Sequence, residues 1–355
     1  MNWNTEITEL FDLDYPIVQA PMFGVSTVEM LVSANDAGCL GSVALADLNP
    51  EQSIELIRKA KSLTNKPFAV NIFTHQIPVR TAELDSKYEE VKQFLKQLSL
   101  DNGLEVDFQD IASIKLTPYQ DQVDALVEER CPIVSFTFGN LDAASVQKFK
   151  AVGTKLIGTC TSVEEGIALE KTGVDVICVQ GWEAGGHRGS FLAEELPKIG
   201  GFSLLAQVKE AVNLPLIYAG AVYNGRTVLA SRELGAAGVQ VGSMLLGSNE
   251  SALQAFEKNR LRNVKEKDIV LTRSFSGRYA RGINNTLIEE VERARAILPY
   301  PYQNKLTAAL RKAAKEQNNA EFVNIWLGQS ISAYADLSTK DILLALIKET
   351  EALGK

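Results

Sequence analysis

The segment with the clearest chemical potential is a glycine-rich loop around one histidine, Gln180-Gly-Trp-Glu-Ala-Gly-Gly-His-Arg-Gly-Ser190. It follows an apolar run at residues 174–180, which predicts a buried strand. The four glycines of the loop allow positive φ and the close approach of a flat ligand. His187, one of only two histidines in the chain, is therefore placed for proton transfer near neutral pH. The alternative is a histidine that only caps or packs in a turn.

Eight apolar runs alternate with helical stretches along the chain. These elements determine where the histidine loop lies. Near-continuous apolar strands separated by helices predict a parallel sheet that is covered on both faces. Eight units in one chain favour an α/β fold of the (β/α)8 TIM-barrel type over an open doubly wound sheet. No G-x-G-x-x-G follows the first run, which counts against a dinucleotide-binding domain. The predicted strands lie at residues 16–22, 39–43, 67–73, 132–136, 155–158, 174–180, 215–219 and 238–241.

Two stretches do not fit the alternating pattern. A polar insertion at residues 74–130 follows strand three and includes a helix rich in lysine and glutamate around residues 84–98. A polar, helical extension occupies residues 250–355 and contains an arginine- and glycine-containing loop at residues 273–284. We predict one domain over residues 1–355, with the extension packed on the barrel and the insertion acting as a lid or an interface.

Composition and charge exclude several classes of function. The chain has 355 residues, 36 basic and 44 acidic, so its net charge of −8 argues against nucleic acid or an anionic membrane as a partner. No apolar run is long enough to cross a membrane, and the start lacks the features of a signal peptide. The four cysteines are far apart in apolar runs, so we expect reduced core residues in a cytoplasmic protein. No cluster has the spacing of metal ligands, and no G-x-S-x-G elbow occurs.

The carboxyl ends of the strands are where a barrel places its active site. Strands seven and eight end in small residues, which let backbone N–H groups approach a phosphate. Tight packing between helix and sheet is the alternative reason for small residues there. Asn71 and Gln180 are neutral amides that could bond the edge of a flavin ring or be satisfied within the core. With the glycine loop and its histidine after strand six, these features predict an FMN cradle, formed at the strand ends by Ala20, Pro21, Met22, Asn71, Gln180, Gly220, Ala221, Gln240, Val241, Gly242 and Ser243.

These residues resemble those of a known family. The chain is similar over nearly its whole length to bacterial nitronate monooxygenases, formerly called 2-nitropropane dioxygenases. The resemblance rests on Gln19-Ala-Pro-Met22, Asn71, Gly181-Trp-Glu-Ala-Gly-Gly-His-Arg-Gly189, Ala219-Gly-Ala221, Gly235-Ala-Ala-Gly-Val-Gln-Val-Gly-Ser243, Phe275-Ser-Gly-Arg278 and Trp326-Leu-Gly-Gln329. The histidine loop together with the late Trp-x-Gly-Gln turn is typical of the main nitronate-oxidising class. The loop alone is also close to flavin-dependent enoyl-acyl-carrier-protein reductases.

Two positions depart from the family's pattern. Ala221 stands where a second glycine is expected, and alanine is tolerable there if its φ is negative. Ser243 stands where threonine is commoner and keeps the hydroxyl group.

The resemblance implies non-covalently bound FMN and the oxidation of alkyl nitronates by O₂ to a carbonyl compound and nitrite. His187 matches the family's catalytic histidine. The resemblance also implies FMN contacts at Asn71, Gln180, Gly185, Gly186, Gly220, Ala221 and residues 240–243. As a neutral base it would take the α-proton of a nitroalkane, or as an imidazolium it would hold the anionic nitronate. Propionate 3-nitronate is the implied substrate, with detoxification as the role and a monomer or homodimer as the assembly.

Two other functions stay open from the sequence. An FMN-dependent NAD(P)H reductase of enoyl thioesters or quinones would use the same cradle and histidine. A flavin-free barrel that binds a phosphorylated metabolite would use only the phosphate site. His75, Tyr300, Tyr302 and the arginines 273, 278 and 281 could line the mouth of the site for an anionic substrate, or serve only in packing and solvation.

Overall fold

The apolar runs form the β-strands of a barrel. The computed structural model describes residues 2–193 and 195–354. The strands are β1 (Ile17–Gln19), β2 (Gly41–Ala46), β3 (Phe68–Phe73), β4 (Ile133–Thr137), β5 (Lys155–Cys160), β6 (Val176–Gln180), β7 (Gly186–His187), β8 (Leu216–Ala219), β9 (Gly238–Val241), β10 (Ile269–Thr272) and β11 (Ala280–Ile283). The helices are α1 (Glu6–Phe11), α2 (Val28–Asp36), α3 (Pro50–Leu63), α4 (Ala82–Asp101), α5 (Tyr119–Glu128), α6 (Ala143–Ala151), α7 (Val163–Thr172), α8 (Gly201–Ala211), α9 (Gly225–Glu233), α10 (Ala255–Arg262), α11 (Thr286–Ala294), α12 (Tyr302–Glu316) and α13 (Thr339–Leu353).

Eight of the strands pair in parallel in the order β1-β9-β8-β6-β5-β4-β3-β2. The two ends of this sheet meet at a parallel bridge between Val18 and Leu40. Gln19 N donates to Leu40 O at 2.9 Å, and Leu40 N donates to Ile17 O at 2.9 Å. These bonds close the ring, and the predicted (β/α)8 TIM barrel is confirmed.

Apolar side chains fill the barrel inside and outside. The interior holds buried residues from most of the strands, among them Val18, Ile133 and Ile217, and α1 closes its amino-terminal end with Ile7 and Phe11. A larger core lies between the strands and the helical ring. A barrel with a filled interior offers ligand space only at its ends, so the site must lie above the strands.

The insertion after β3 contains an element that belongs to the ring itself. Its last helix, α5, packs against α3, α6 and β3 in the regular βα position. Only residues 74–118 therefore leave the ring, which is shorter than the predicted insertion at 74–130. Its helix α4 is the predicted helix rich in lysine and glutamate, and it begins with a Thr81 side chain that accepts from Leu84 N.

The sequence predicts a helical extension, but the extension also contains strands. Its predicted loop at 273–284 is partly strand, because β10 and β11 form an antiparallel pair to which β7 adds as a third strand. Its last helix, α13, packs between α9 and α2. That position is the eighth place in the helical ring, so the chain leaves the barrel after β9 and returns to complete it.

The insertion and the extension share a second core. Tyr88, Val91 and Leu95 of α4 join buried residues of α10, α11 and α12 in this cluster. Val25 and Leu246, which follow the ends of β1 and β9, also belong to it. The cluster therefore forms a cap over the carboxyl end of the barrel. Of the helices in the described ranges, none is long and apolar enough to cross a membrane.

Candidate active site

A cleft of about 1550 Å³, counted to its open mouth, lies between the barrel and the cap. The predicted residues that line it are Ala20, Pro21, Met22, Asn71, Gln180, Gly185, Gly186, His187, Gly220, Ala221, Gln240, Gly242 and Ser243. Val241 differs, because its side chain is 1% exposed and packs in the core between strands and helices. Within residues 2–193 and 195–354, no three His, Cys, Asp or Glu side chains gather as metal ligands would.

One end of the cleft, here called the anion-binding end because its groups suit an anion, carries backbone N–H groups left unpaired by the described residues. Ala221 and Gly242 follow β8 and β9, and their backbone N–H groups donate to no protein acceptor in the described parts of the chain. Helix α9 begins just beyond, where Asn224 accepts from Thr227 N at 3.0 Å. Free N–H groups beside a helix N-terminus favour negative charge, so the residues fit a phosphate.

Ala221 corrects one expectation from the sequence. Its φ is +52°, whereas alanine was expected to be tolerable there only with a negative φ. Left-handed backbone costs an alanine about 1–2 kcal/mol. The loop therefore imposes the glycine conformation on an alanine, next to Gly220 at φ +134°.

The two predicted amides are held differently. Asn71 Nδ2 donates to Ser135 Oγ at 3.0 Å, which leaves its carbonyl oxygen for the cleft. Gln180 Nε2 donates to His187 O at 2.9 Å, and Gln180 Oε1 accepts from Gly189 N at 2.9 Å. The Gln180 side chain thus ties the start of the histidine loop to its last residues and also lines the cleft.

Pairing with β11 and the Arg188 side chain also hold the histidine loop in place. Gly186 and His187 form β7, paired with Arg281 and Ala280 of β11. Arg188, 2% exposed, bonds Gly181 O with its guanidinium. These bonds hold the His187 side chain over the cleft.

His187 is neutral in this environment. Burial lowers its pKa to about 3, with the positive charges of Arg278 and Arg311 acting in the same direction. Its ring makes edge contacts with Phe138 and Trp326, at centroid distances of 5.4 and 5.3 Å. At neutral pH the imidazole therefore carries one proton and has one nitrogen free to accept another.

Ser276 is the hydrogen-bond partner of the ring. His187 Nε2 lies 2.7 Å from Ser276 Oγ, and either atom can be the donor. Ser276 Oγ also lies 3.1 Å from Arg278 O, which can only accept. When the one hydroxyl hydrogen goes to Arg278 O, Nε2 is the protonated nitrogen and Nδ1 the basic one; when it goes to Nε2, the assignment reverses.

The Trp-x-Gly-Gln turn packs directly on the histidine loop. A Cβ on Gly185 would lie 2.4 Å from Gly328 N, and a Cβ on Gly328 would lie 2.9 Å from Glu183 O. Gly328 N also donates to Ser243 Oγ at 3.0 Å. Glycine at both positions allows this approach, which joins the turn to the anion-binding end of the cleft.

The predicted mouth residues separate into two groups. Tyr300 lines the cleft, and His75 makes an edge-to-face contact with it at a centroid distance of 4.6 Å. Burial lowers the pKa of His75 to about 4. The other four predicted residues do not line the cleft. They are Tyr302, Arg273, Arg278 and Arg281.

Several lining residues were not predicted from the sequence. Phe138 has a φ of +73°, a rare conformation for a bulky side chain. Asn304 and Arg311 lie seven residues apart on one face of α12, and that helical spacing is the signal that could have identified them. Asn324 faces the same wall.

Comparisons with known proteins agree with this geometry. The family described as nitronate monooxygenase matches residues 4–349. The chain is 39% identical over 335 residues to a "probable nitronate monooxygenase" of Staphylococcus aureus strain Newman, covering 92% of both chains.

Solved structures show the same relationship. The chain is similar to the nitroalkane oxidase of Streptomyces ansochromogenes, with a TM-score of 0.88, 32% identity and 98% of each chain covered. It also shares its fold with FabK of Thermotoga maritima, with a TM-score of 0.76, 23% identity and coverage of 99% and 98%. The chain belongs to the nitronate monooxygenase family of oxidoreductases.

Proposed function

We propose that this protein binds FMN non-covalently and uses O₂ to oxidise alkyl nitronates to a carbonyl compound and nitrite, with propionate 3-nitronate as the substrate. One observation carries the proposal. A half-buried, neutral His187 stands in the same cleft as free backbone N–H groups that suit a phosphate. Membership of the family supports the reaction class.

The residues of the cleft fit FMN at both its polar and its flat parts. The N–H groups of Ala221 and Gly242 would hold the phosphate, and the Asn71 carbonyl would accept from the edge of the ring. Met22 and Trp326 offer apolar surface for the ring system. When bound, FMN would accept electrons from the nitronate and transfer them to O₂.

The electrostatics of the cleft favour an anionic substrate. Arg278 and Arg311 lower the pKa of His187, and the same positive potential attracts a nitronate. A histidine with so low a pKa is a weak base, so removing the α-proton of a neutral nitroalkane is the harder step. We therefore expect nitronates to react faster than the corresponding nitroalkanes.

The test is an O₂-electrode measurement on FMN-loaded protein with propionate 3-nitronate, together with a nitrite assay. We expect rapid O₂ uptake, nitrite formation and no dependence on NADPH. The matched substrate is freshly dissolved 3-nitropropionate, assayed before the carbon beside its nitro group loses a proton, and it should react more slowly. A loaded protein that consumes no O₂ with nitronates would contradict the proposal, and anaerobic bleaching of its flavin by NADPH would identify a reductase. A protein that stays colourless with FMN would exclude the cofactor.

A further inference from the structure

The wall of the cleft formed by α12 carries a cation without a carboxylate partner. Arg311 lines the cleft beside Tyr300, Asn304 and Asn324. Asp47, whose charge raises the pKa of Arg311, is itself paired with Lys305 Nζ at 2.7 Å. Within the described residues, no Asp or Glu oxygen lies within 4.0 Å of the Arg311 guanidinium. Arg311 is half-buried, and a partly desolvated charge without a counter-ion favours an anion at this wall.

Neutral oxygens hold the guanidinium in place. Nε donates to Thr307 O at 3.4 Å, and Nη1 donates to Asn324 Oδ1 at 3.2 Å. Nη2 donates to the backbone and side-chain oxygens of Asn304, both at 2.9 Å. A guanidinium has five N–H groups, so these four acceptors leave one on Nη1. Burial lowers the pKa of Arg311 to about 10, and the group stays charged at neutral pH.

Arg311 and the anion-binding end lie on opposite sides of His187. Residues 325–329 run extended beside β11, since Leu327 N donates to Arg281 O at 3.1 Å. Asn324 at the start of this segment bonds Arg311, and Gly328 near its end bonds Ser243. Four extended residues span about 13 Å. Trp326, between the two ends, contacts His187.

We propose that Arg311 is a specificity-determining residue that binds a carboxylate at the far side of His187, so that the site selects nitronates carrying a second anionic group. The proposal rests on the proposed function and assigns a residue to its substrate. The free Nη1 hydrogen would bond one carboxylate oxygen. The Tyr300 hydroxyl, buried and without a partner in the described parts of the chain, is a second donor at this wall.

The test compares two nitronates with the same carbon chain. Propionate 3-nitronate carries the carboxylate, and propyl nitronate lacks it. In Arg311→Gln, the ratio of kcat/KM for the first over the second should fall about 10- to 100-fold, the worth of one charge-assisted hydrogen bond. Lys312→Gln is the matched control, because Lys312 is 80% exposed on the same helix. Its ratio should equal that of the wild type. An unchanged ratio in Arg311→Gln, or equal loss of both substrates, would overturn the proposal.

A binding measurement gives an answer that does not depend on turnover. Succinate has the shape of propionate 3-nitronate with a carboxylate in place of the nitronate, and butyrate lacks one of the two charges. Calorimetry on FMN-loaded protein should show tighter binding of succinate than of butyrate, and Arg311→Gln should remove the difference. An equal affinity of the wild type for both acids would overturn the assignment. If the wild type oxidises no nitronate, the proposed function fails, while the succinate measurement still tests Arg311.

Discussion

At the residue scale, the protonation of His187 links the fold to the chemistry. The pairing of β7 with β11 and the Gln180 amide fix the backbone of the histidine loop, and Ser276 Oγ hydrogen-bonds the ring at Nε2. The low pKa of His187 keeps the imidazole neutral at neutral pH. Of the two roles considered from the sequence, the low pKa therefore favours the neutral base.

Replacing His187 should separate nitroalkanes from nitronates. In His187→Asn, kcat/KM for neutral nitroalkanes should fall about 100-fold or more, because proton removal loses its base. Nitronates need no proton removal and should lose less. FMN should remain bound, as measured by its absorbance after gel filtration. His75→Gln is the control, since His75 is buried outside the cleft wall. Equal losses for both substrates in His187→Asn would contradict a role as base.

The two histidines also predict how acid destabilises the fold. Their folded pKa values are about 3 and about 4, below the ordinary 6.5, because burial disfavours the charged form. Above pH 6.5 both states are neutral and neither histidine contributes. As the pH falls below 6.5, the unfolded chain binds protons that the folded one does not, so stability is lost. Each histidine then removes up to about 1.4 kcal/mol per pH unit, down to its folded pKa.

Urea unfolding at several pH values between 6.5 and 4.5 measures this effect. His75→Gln should show a smaller loss of unfolding free energy per pH unit than the wild type, because one of the two titrating groups is gone. Identical slopes for the two proteins would show that His75 is not held neutral in the folded state.

At the scale of elements, the contact between the histidine loop and the 325–329 segment organises the site. In Gly185→Ala, the new Cβ would lie 2.4 Å from Gly328 N and 2.6 Å from Leu327 C. Backbone cannot move aside as a side chain can, so the segment must shift. The unfolding free energy should fall by about 1–3 kcal/mol. FMN affinity should fall as well, because Gly328 contacts Ser243.

Gly200→Ala is the matched control for this contact. No heavy atom lies within 4 Å of a Cβ at Gly200, and its φ is −58°. Alanine at this N-cap position of α8 should lower the unfolding free energy by no more than about 1 kcal/mol. FMN affinity should be unchanged. Equal FMN affinity in the two variants, measured by fluorescence titration, would show that the contact does not shape the site.

The barrel could be predicted from the sequence because its signals are local and repeated. Each unit has an apolar run, a helical stretch and often a glycine between them. An error in locating one unit therefore leaves the prediction of the other units unchanged. Strand β7 could not be predicted, since two residues have no periodicity. Its existence depends on β11, almost a hundred residues away in the chain.

The site was predictable where its residues follow strands and unpredictable where tertiary contacts bring them in. Ala221 and Gly242 sit at strand ends, and the barrel alone places them together. Arg311 reaches the cleft only because the cap folds over the barrel, and a charged residue on a polar helix ordinarily indicates a solvated face. The positive φ of Ala221 does not meet the condition under which alanine was expected to be tolerable, and backbone strain of this kind leaves no sign in composition.

At the scale of the whole molecule, the chain makes a long excursion between the last strand of the barrel and its last helix. Residues between β9 and α13 build most of the cap, and α13 then returns to the ring between α9 and α2. The return is closely fitted, because a Cβ on Gly225 of α9 would lie 2.7 Å from Thr350 N. The helical ring around the barrel therefore depends on α13 for its completion, and the cap is held at both of its ends.

This topology predicts that weakening α13 destabilises the entire molecule. Leu343 is fully buried in the core between strands and helices, so Leu343→Ala should lower the unfolding free energy by about 2–5 kcal/mol. Leu344 is 38% exposed on the same helix, and Leu344→Ala should change it by less than about 0.5 kcal/mol. In Leu343→Ala, the urea midpoint of helix loss, measured by circular dichroism, and the urea midpoint of FMN release, measured by fluorescence, should both move to lower urea by the same amount. One cooperative unit requires this agreement. If α13 were only an appendage, part of the helix signal would be lost at low urea while FMN release kept the midpoint of the wild type.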